Sequence, residues 1–124
     1  LVVMRAAKRA TADQRAALRT SAQAMEKAAA ARDLHEFMRL DRECDEIVEQ
    51  ASRNSFAARA LGPLHAHCRR FWYMYHHNGD LPHSAELHVT VMIAVADADE
   101  GGAGVSSDRL IDYLEQFSRT AFDI

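Results

Sequence analysis

Apolar residues recur at spacings of three and four along almost the whole chain, and the rhythm breaks where helix caps and turn formers stand. Thr11-Ala-Asp-Gln14 has the form of a capping box and predicts a helix to about Ala31. Its stripe of Leu18, Ala22, Met25 and Ala29 is narrow enough to let another helix come close. The preceding LVVMRAAKRA begins in mid-pattern and reads as the tail of a helix. Asp33 caps a third helix running to Ser52, with Glu36 placed to reciprocate. Asn54 caps a fourth, which carries Ala57, Leu61, Leu64, Cys68, Phe71, Trp72 and Tyr75 inward; Gly62-Pro63 inside it predicts a kink or a restart. His76-His77-Asn78-Gly79 ends that helix, with Gly79 suited to a left-handed position. Asp80-Leu-Pro82 opens a fifth helix with Leu87, His88, Val91, Met92 and Val95 inward. Asp99 caps a sixth, whose stripe is Ser107, Leu110, Ile111, Leu114 and Phe117. No segment reads as a strand, and VTVMIAV at 89–95 continues the fifth helix. The pattern predicts an all-α protein, an antiparallel bundle of about six helices.

Two acids interrupt the most regular of these stripes. Asp41 and Asp45 lie one turn apart on the face that carries Leu34, Phe37, Met38, Cys44, Val48 and Ala51. A carboxylate taken out of water without a partner costs on the order of several kcal/mol, so a cation or a proton donor must face them. His88 is a third polar residue on an inward stripe. Acids on one helix and an inward histidine on another are how bundles build interior metal sites, and this donor set suits Zn, Mn, Fe or Ni better than Ca or Mg. Three protein ligands would leave positions open for water or an anion. The competing arrangement pairs the acids with Arg69, Arg70 or a tyrosine hydroxyl and makes His88 a hydrogen-bonded core residue. His65, Arg69, Trp72 and Tyr75 fall at helical spacing and could line an effector pocket, Arg69 offering a two-pronged donor to a carboxylate; the same spacing describes core aromatics and a snorkelling arginine.

Length and composition narrow the function classes. A chain of 124 residues with 48% hydrophobic and 27% charged residues is one domain with a real core, not a disordered segment. Residues 1–32 hold seven Lys or Arg against two acids, a balance of +5; with the whole chain at −3, the rest is −8, which argues against nucleic-acid binding by this domain itself. No apolar run approaches a membrane span and no signal peptide opens the chain, so a cytoplasmic location is expected. Cys44 and Cys68 sit on apolar faces and read as reduced core thiols. There is no Gly-x-Ser-x-Gly elbow, and the glycines at 101–104 lack the strand and Lys-Ser/Thr pair of a phosphate loop; an enzyme is not expected.

The order and spacing of two motifs add a family. DRECDEIVEQASRN from Asp41 and ELHVTVMIAVADAD from Glu86 resemble the FCD (FadR C-terminal domain) effector domain of GntR-type transcription regulators. The resemblance covers nearly the whole chain. It implies an all-α bundle whose interior holds a small organic acid, often through a divalent metal bound by one Asp and three His. Here the Asp falls on Asp41 and the middle His on His88. Two positions depart: the first His is Asp45 and the last is Leu110, which cannot bind metal. Asp41, Asp45 and His88 are then the expected metal ligands, and His65, Arg69 and Tyr75 the expected effector contacts. Without metal, a basic side chain such as Arg69, or a cationic effector, would neutralise the acids. The resemblance further implies a homodimer whose DNA contact comes from a winged helix-turn-helix domain. Residues 1–124 would be the effector-binding and dimerisation piece of such a regulator, without that domain or the first bundle helix. The alternatives are a structural dimerisation module without ligand and a metal-dependent hydrolase.

Overall fold

Helices begin where the sequence places caps. The computed structural model describes residues 1–122, which form six α-helices: α1 Val2–Arg9, α2 Ala12–Ala30, α3 Leu34–Ser52, α4 Ser55–Tyr75, α5 Leu81–Ala96 and α6 Glu100–Phe122. The capping box of α2 is complete: Thr11 Oγ1 accepts from Gln14 N at 3.1 Å and Gln14 Oε1 accepts from Thr11 N at 2.9 Å. Asp33 likewise accepts from Glu36 N, but the Glu36 carboxylate turns to Arg39 at 2.6 Å, because an arginine one turn on offers it a charged donor. Asn54, Asp80 and Asp99 cap α4, α5 and α6.

The tightly packed half is built from small residues. α2 buries Leu18, Ser21, Ala22, Met25, Ala28 and Ala29, which bring it close to α5 and α3, while α1 buries Ala6 and Ala7 against α3, α6 and α5. Arginines close this side: Arg15 donates to the carbonyls of Ala7 at 3.0 Å and Val95 at 2.7 Å, and Arg19 donates to Ala96, at the carbonyl-rich ends of α1 and α5. α2 and α5 end in αL residues, Arg32 at φ 54 and Ala98 at φ 58, each inside a paired C-terminal turn such as Asp99 N to Ala94 O at 2.9 Å and Ala98 N to Val95 O at 3.1 Å.

The other half is loose. α4 packs mainly on α3, and Trp72 is its one buried residue. Leu64, expected inward, is 57% exposed, and Cys68, expected in the core, is exposed as well. The reason is that only the last two turns of α4 reach α6: Phe71 and Trp72 meet Phe117 at ring separations of 5.7 and 5.9 Å, and the earlier turns face open space instead of a packed helix. α4 runs through Gly62-Pro63 without restarting, and His76–Asn78 forms a separate 3-10 turn. Gly79 is not left-handed; its φ of −106 and ψ of −179 are extended. Its small size serves another purpose, since a Cβ there would stand 3.0 Å from the Phe117 ring.

Candidate functional site

The space between α3, α4, α5 and α6 is a cavity of about 520 Å³, with Val2 and Val3 of α1 at its edge. That is the size range of pockets for small organic molecules. Most of the wall is apolar, from Phe37, Met38 and Val48 of α3, Val91 of α5, and Leu110 and Leu114 of α6. The stripe expected for α6 is therefore real, but it faces the cavity more than a packed core, and Ile111 remains 57% exposed.

The polar part of the wall is a row on α3. Asp41, Asp45 and Glu49 are spaced by four and rise along one face, each opposite a basic side chain from another helix. His88 Nε2 lies 3.4 Å from Asp41 Oδ1, and its Nδ1–H donates to the Ser84 carbonyl at 2.7 Å, which fixes the ring. Arg69 donates to Asp45 Oδ2 at 2.7 Å. His65 Nδ1 lies 3.0 Å from Glu49 Oε1 and 3.5 Å from Asp45 Oδ2, so it bridges two acids.

Burial and mutual charge set the protonation of this row. Burial alone would push the His88 imidazolium down, but the Asp41 charge and hydrogen bond and the Ser84 carbonyl outweigh it, and its pKa rises to about 9. Burial likewise raises the Asp41 carboxyl, yet facing His88, with Arg69 and His65 nearby, leaves it below the usual value. Asp45 goes the other way. Burial and the neighbouring Asp41 charge raise it to about 7 against the pull of His65, Arg69 and His88. The buried Cys44 thiol is pushed well up, by burial first and then by the charges of Asp45 and Asp41, so it stays protonated and is no nucleophile.

The structure thus gathers Asp41, Asp45, His88, His65 and Arg69 around one cavity, all named from the sequence. Tyr75 is not among the lining residues. Its ring stacks on Phe71 at 4.9 Å and on Phe122 at 5.5 Å, because the C-terminal end of α4 turns into the aromatic cluster against α6. The expected metal ligands do not converge either. Asp41 is matched to His88, Asp45 to Arg69, and Leu110 presents an apolar side chain to the same space. Among the described residues no group of three or more His, Cys, Asp or Glu is placed to hold a metal ion. A guanidinium on Asp45 already supplies the positive charge that an ion would bring, so this donor set does not fit a resident divalent metal.

Glu49 was not singled out from the sequence, although its spacing of four from Asp45 continues the row. Trp72 and Ser84 also border the cavity, but Trp72 Nε1 and Ser84 Oγ are covered by surrounding protein atoms and have no hydrogen-bond partner.

A family model, the FCD domain, matches residues 1–113. The chain belongs to the FCD family. FCD domains are generally ligand-sensing domains of GntR-type regulators, and a six-helix bundle lining a cavity is in keeping with that role. No curated protein and no solved structure matches this FCD domain significantly. None of its helices, among the described residues, is long and apolar enough to cross a membrane.

Proposed function

We propose that this FCD domain senses a small organic acid, without a metal, and passes its occupancy to DNA-binding domains of a paired GntR-type regulator. The observation that carries the reading is the cavity of about 520 Å³ with the Arg69 guanidinium on its wall, held by an aspartate whose pKa stands at about 7. A structural module would fill such a space with side chains, since interiors pack to crystal density.

Asp45 is a good leaving partner for Arg69. When a ligand carboxylate approaches, it takes the planar fork of the guanidinium, which matches a carboxylate through two parallel hydrogen bonds. Asp45, displaced, takes a proton at little expense near neutral pH and so leaves no unpaired buried charge. The Asp41–His88 pair stays closed and keeps the far wall neutral. His65, between Asp45 and Glu49, follows whichever acid keeps its charge. Signalling requires that the ligand bind one arrangement of the paired regulator better than the other. α4 is the element best able to differ between states, as it rests mainly on α3 and closes one side of the cavity.

A thermal-shift screen of organic acids, amines and neutral metabolites tests the reading. Acids should raise the melting temperature of the parent, and Arg69→Ala should abolish that rise. Stabilisation by amines alone, or acid binding that ignores Arg69, would overturn it.

A further inference from the structure

The ion pair between Arg69 and Asp45 uses only part of each group. It is made by one guanidinium nitrogen, Nη1, and one carboxylate oxygen, Oδ2. Among the described residues, Arg69 Nη2 and Nε and Asp45 Oδ1 take no partner. These atoms are open, because the unpartnered side-chain atoms sealed by protein are those of Trp72 and Ser84. Both residues border the cavity, with side chains 17% and 29% exposed. Positively charged donors and a negatively charged acceptor therefore stand in direct contact on one wall.

Positive charge is scarce around this contact. Asp41, Asp45 and Glu49 are answered by Arg69, by His88 and by one nitrogen of His65, which lies 3.0 Å from Glu49 and 3.5 Å from Asp45. Asp41 Oδ2 and Glu49 Oε2 are without partners as well. Asp45 accordingly resists ionising, through its burial first and the Asp41 charge second. A ligand that brought a carboxylate alone would add negative charge here and leave Asp45 to find a proton. One that carried an ammonium beside its carboxylate would supply that positive charge itself.

We propose that the effector is an α-amino acid with an apolar side chain, its carboxylate on Arg69, its ammonium on Asp45 and its side chain against the apolar wall of the cavity. This rests on the carboxylate reading of Arg69 and gives that acid its second charged group. The two charged groups of an α-amino acid sit on one carbon, which matches an arginine and an aspartate 2.7 Å apart. An ammonium has three N–H donors, and the free oxygens of Asp41 and Glu49 lie one turn of α3 to either side of Asp45. Binding adds no net charge to the wall, so Asp45 stays ionised where a plain acid would make it take up a proton. The rest of the wall, from Val48 of α3 to Leu110 and Leu114 of α6, suits a hydrocarbon side chain.

The test removes one charged group at a time from the ligand, by calorimetry at pH 8. The probes are phenylalanine, 3-phenylpropanoate and 2-phenylethylamine, with leucine and 4-methylpentanoate as a second side chain. Each amino acid should bind about tenfold more tightly than the acid lacking its amine, and phenylalanine about tenfold more tightly than 2-phenylethylamine. In buffers of different ionisation enthalpy, 3-phenylpropanoate should take up a proton on binding and phenylalanine should take up none. Asp45→Asn should bring phenylalanine and 3-phenylpropanoate within about twofold of each other, its binding of the plain acid showing that it folds. Arg69→Ala should lose both. Equal or tighter binding of the plain acids, a preference that survives Asp45→Asn, or the same proton uptake for phenylalanine would overturn the ammonium seat and leave the Arg69 reading standing. 2-Phenylethylamine as tight as phenylalanine, or failure of every probe, would overturn both.

Discussion

Arg69 of α4 holds Asp45 of α3 at 2.7 Å, and this single contact takes the place that a shared metal ion was expected to fill. One turn earlier on α3, Asp41 faces a different cation, His88 of α5, at 3.4 Å. The two acids are neighbours in space, but their direct partners come from different helices, α4 for Asp45 and α5 for Asp41.

Removing Arg69 leaves Asp45 beside the Asp41 charge with only His65 near it. Arg69→Met should destabilise the protein by about 1–3 kcal/mol at pH 8, less than a fully buried pair would lose because Asp45 keeps some solvent contact. The loss should shrink below pH 6, where Asp45 carries a proton in the folded state. Adding Asp45→Asn should restore most of it. Urea denaturation of the parent, the single variants and the double variant at pH 6 and 8 gives the coupling directly.

The pKa of His88 rises from 6.5 to about 9 on folding, so the folded state binds that proton more tightly than the unfolded chain. Its contribution is complete below pH 6.5 and is lost as pH climbs through 9. Asp45, raised from 3.8 to about 7, also favours the protonated folded state, and its contribution fades as pH rises from about 4 to 7. Asp41 is lowered and acts in the opposite sense, stabilising above pH 3.8 and failing in stronger acid. Melting temperatures should therefore peak on the acid side of neutrality and fall steadily toward pH 10. His88→Gln should flatten the fall between pH 6.5 and 9, a span worth on the order of 3 kcal/mol.

Much of this site was legible because helical spacing is a strong signal: a polar residue on an apolar stripe is conspicuous, and Asp41, Asp45, His88, His65 and Arg69 were all found that way. Spacing could not show which partner each acid takes. Arg69 and Arg70 are adjacent in the chain, and only the rotation of α4 about its axis turns Arg69 to Asp45 while Arg70 goes to His67. Tyr75 was misplaced for the same reason, since the aromatic cluster of Phe71, Phe117 and Phe122 draws the last turn of α4 away from the cavity. The inward stripe of α4 was taken for core because a residue facing a cavity and one facing a packed helix leave the same pattern in sequence.

Carboxylate binding should be coupled to a proton. Asp45 is surrounded by Asp41, Cys44 and Glu49 on α3, His65, Cys68 and Arg69 on α4, and His88 on α5. Its displacement from Arg69 leaves it among acids, and it takes up a proton wherever it was ionised before. An acid that stabilises the parent should bind progressively more weakly as pH rises from 7 to 9, and calorimetry in buffers of different ionisation enthalpy should report net proton uptake at pH 8. Asp45→Asn should bind the same acid with no uptake. Affinity that is flat across this range would show that Asp45 keeps its charge and its arginine.

Ala98 offers a check remote from the cavity. It holds φ 58 in the turn between α5 and α6, a conformation in which a Cβ crowds the backbone by about 1–2 kcal/mol and glycine is free of strain. Ala98→Gly should raise stability by roughly 0.5–1 kcal/mol, a gain reduced by glycine's extra freedom in the unfolded chain. It should leave acid binding unchanged, because Ala98 does not border the cavity. A lowered melting point would mean that the turn does not hold the left-handed geometry.

The departure from a metal site can be probed with zinc. In the parent, Arg69 stands on Asp45 and Leu110 offers no donor, so a divalent ion would have to displace a guanidinium to collect even three ligands. Zinc at tens of micromolar should leave the parent's melting temperature unchanged. In Arg69→Ala the cation is gone, Asp41 and Asp45 remain one turn apart with His88 facing Asp41, and zinc should now stabilise, more so at pH 8 than at pH 6, as the metal competes with fewer protons at Asp45 and His88. The triple substitution Arg69→Ala, Asp41→Asn, Asp45→Asn should lose that response. If the parent itself gains several degrees with zinc and Asp41→Asn removes the gain, Arg69 does not exclude the metal, and the cavity is a metal-assisted sensor after all.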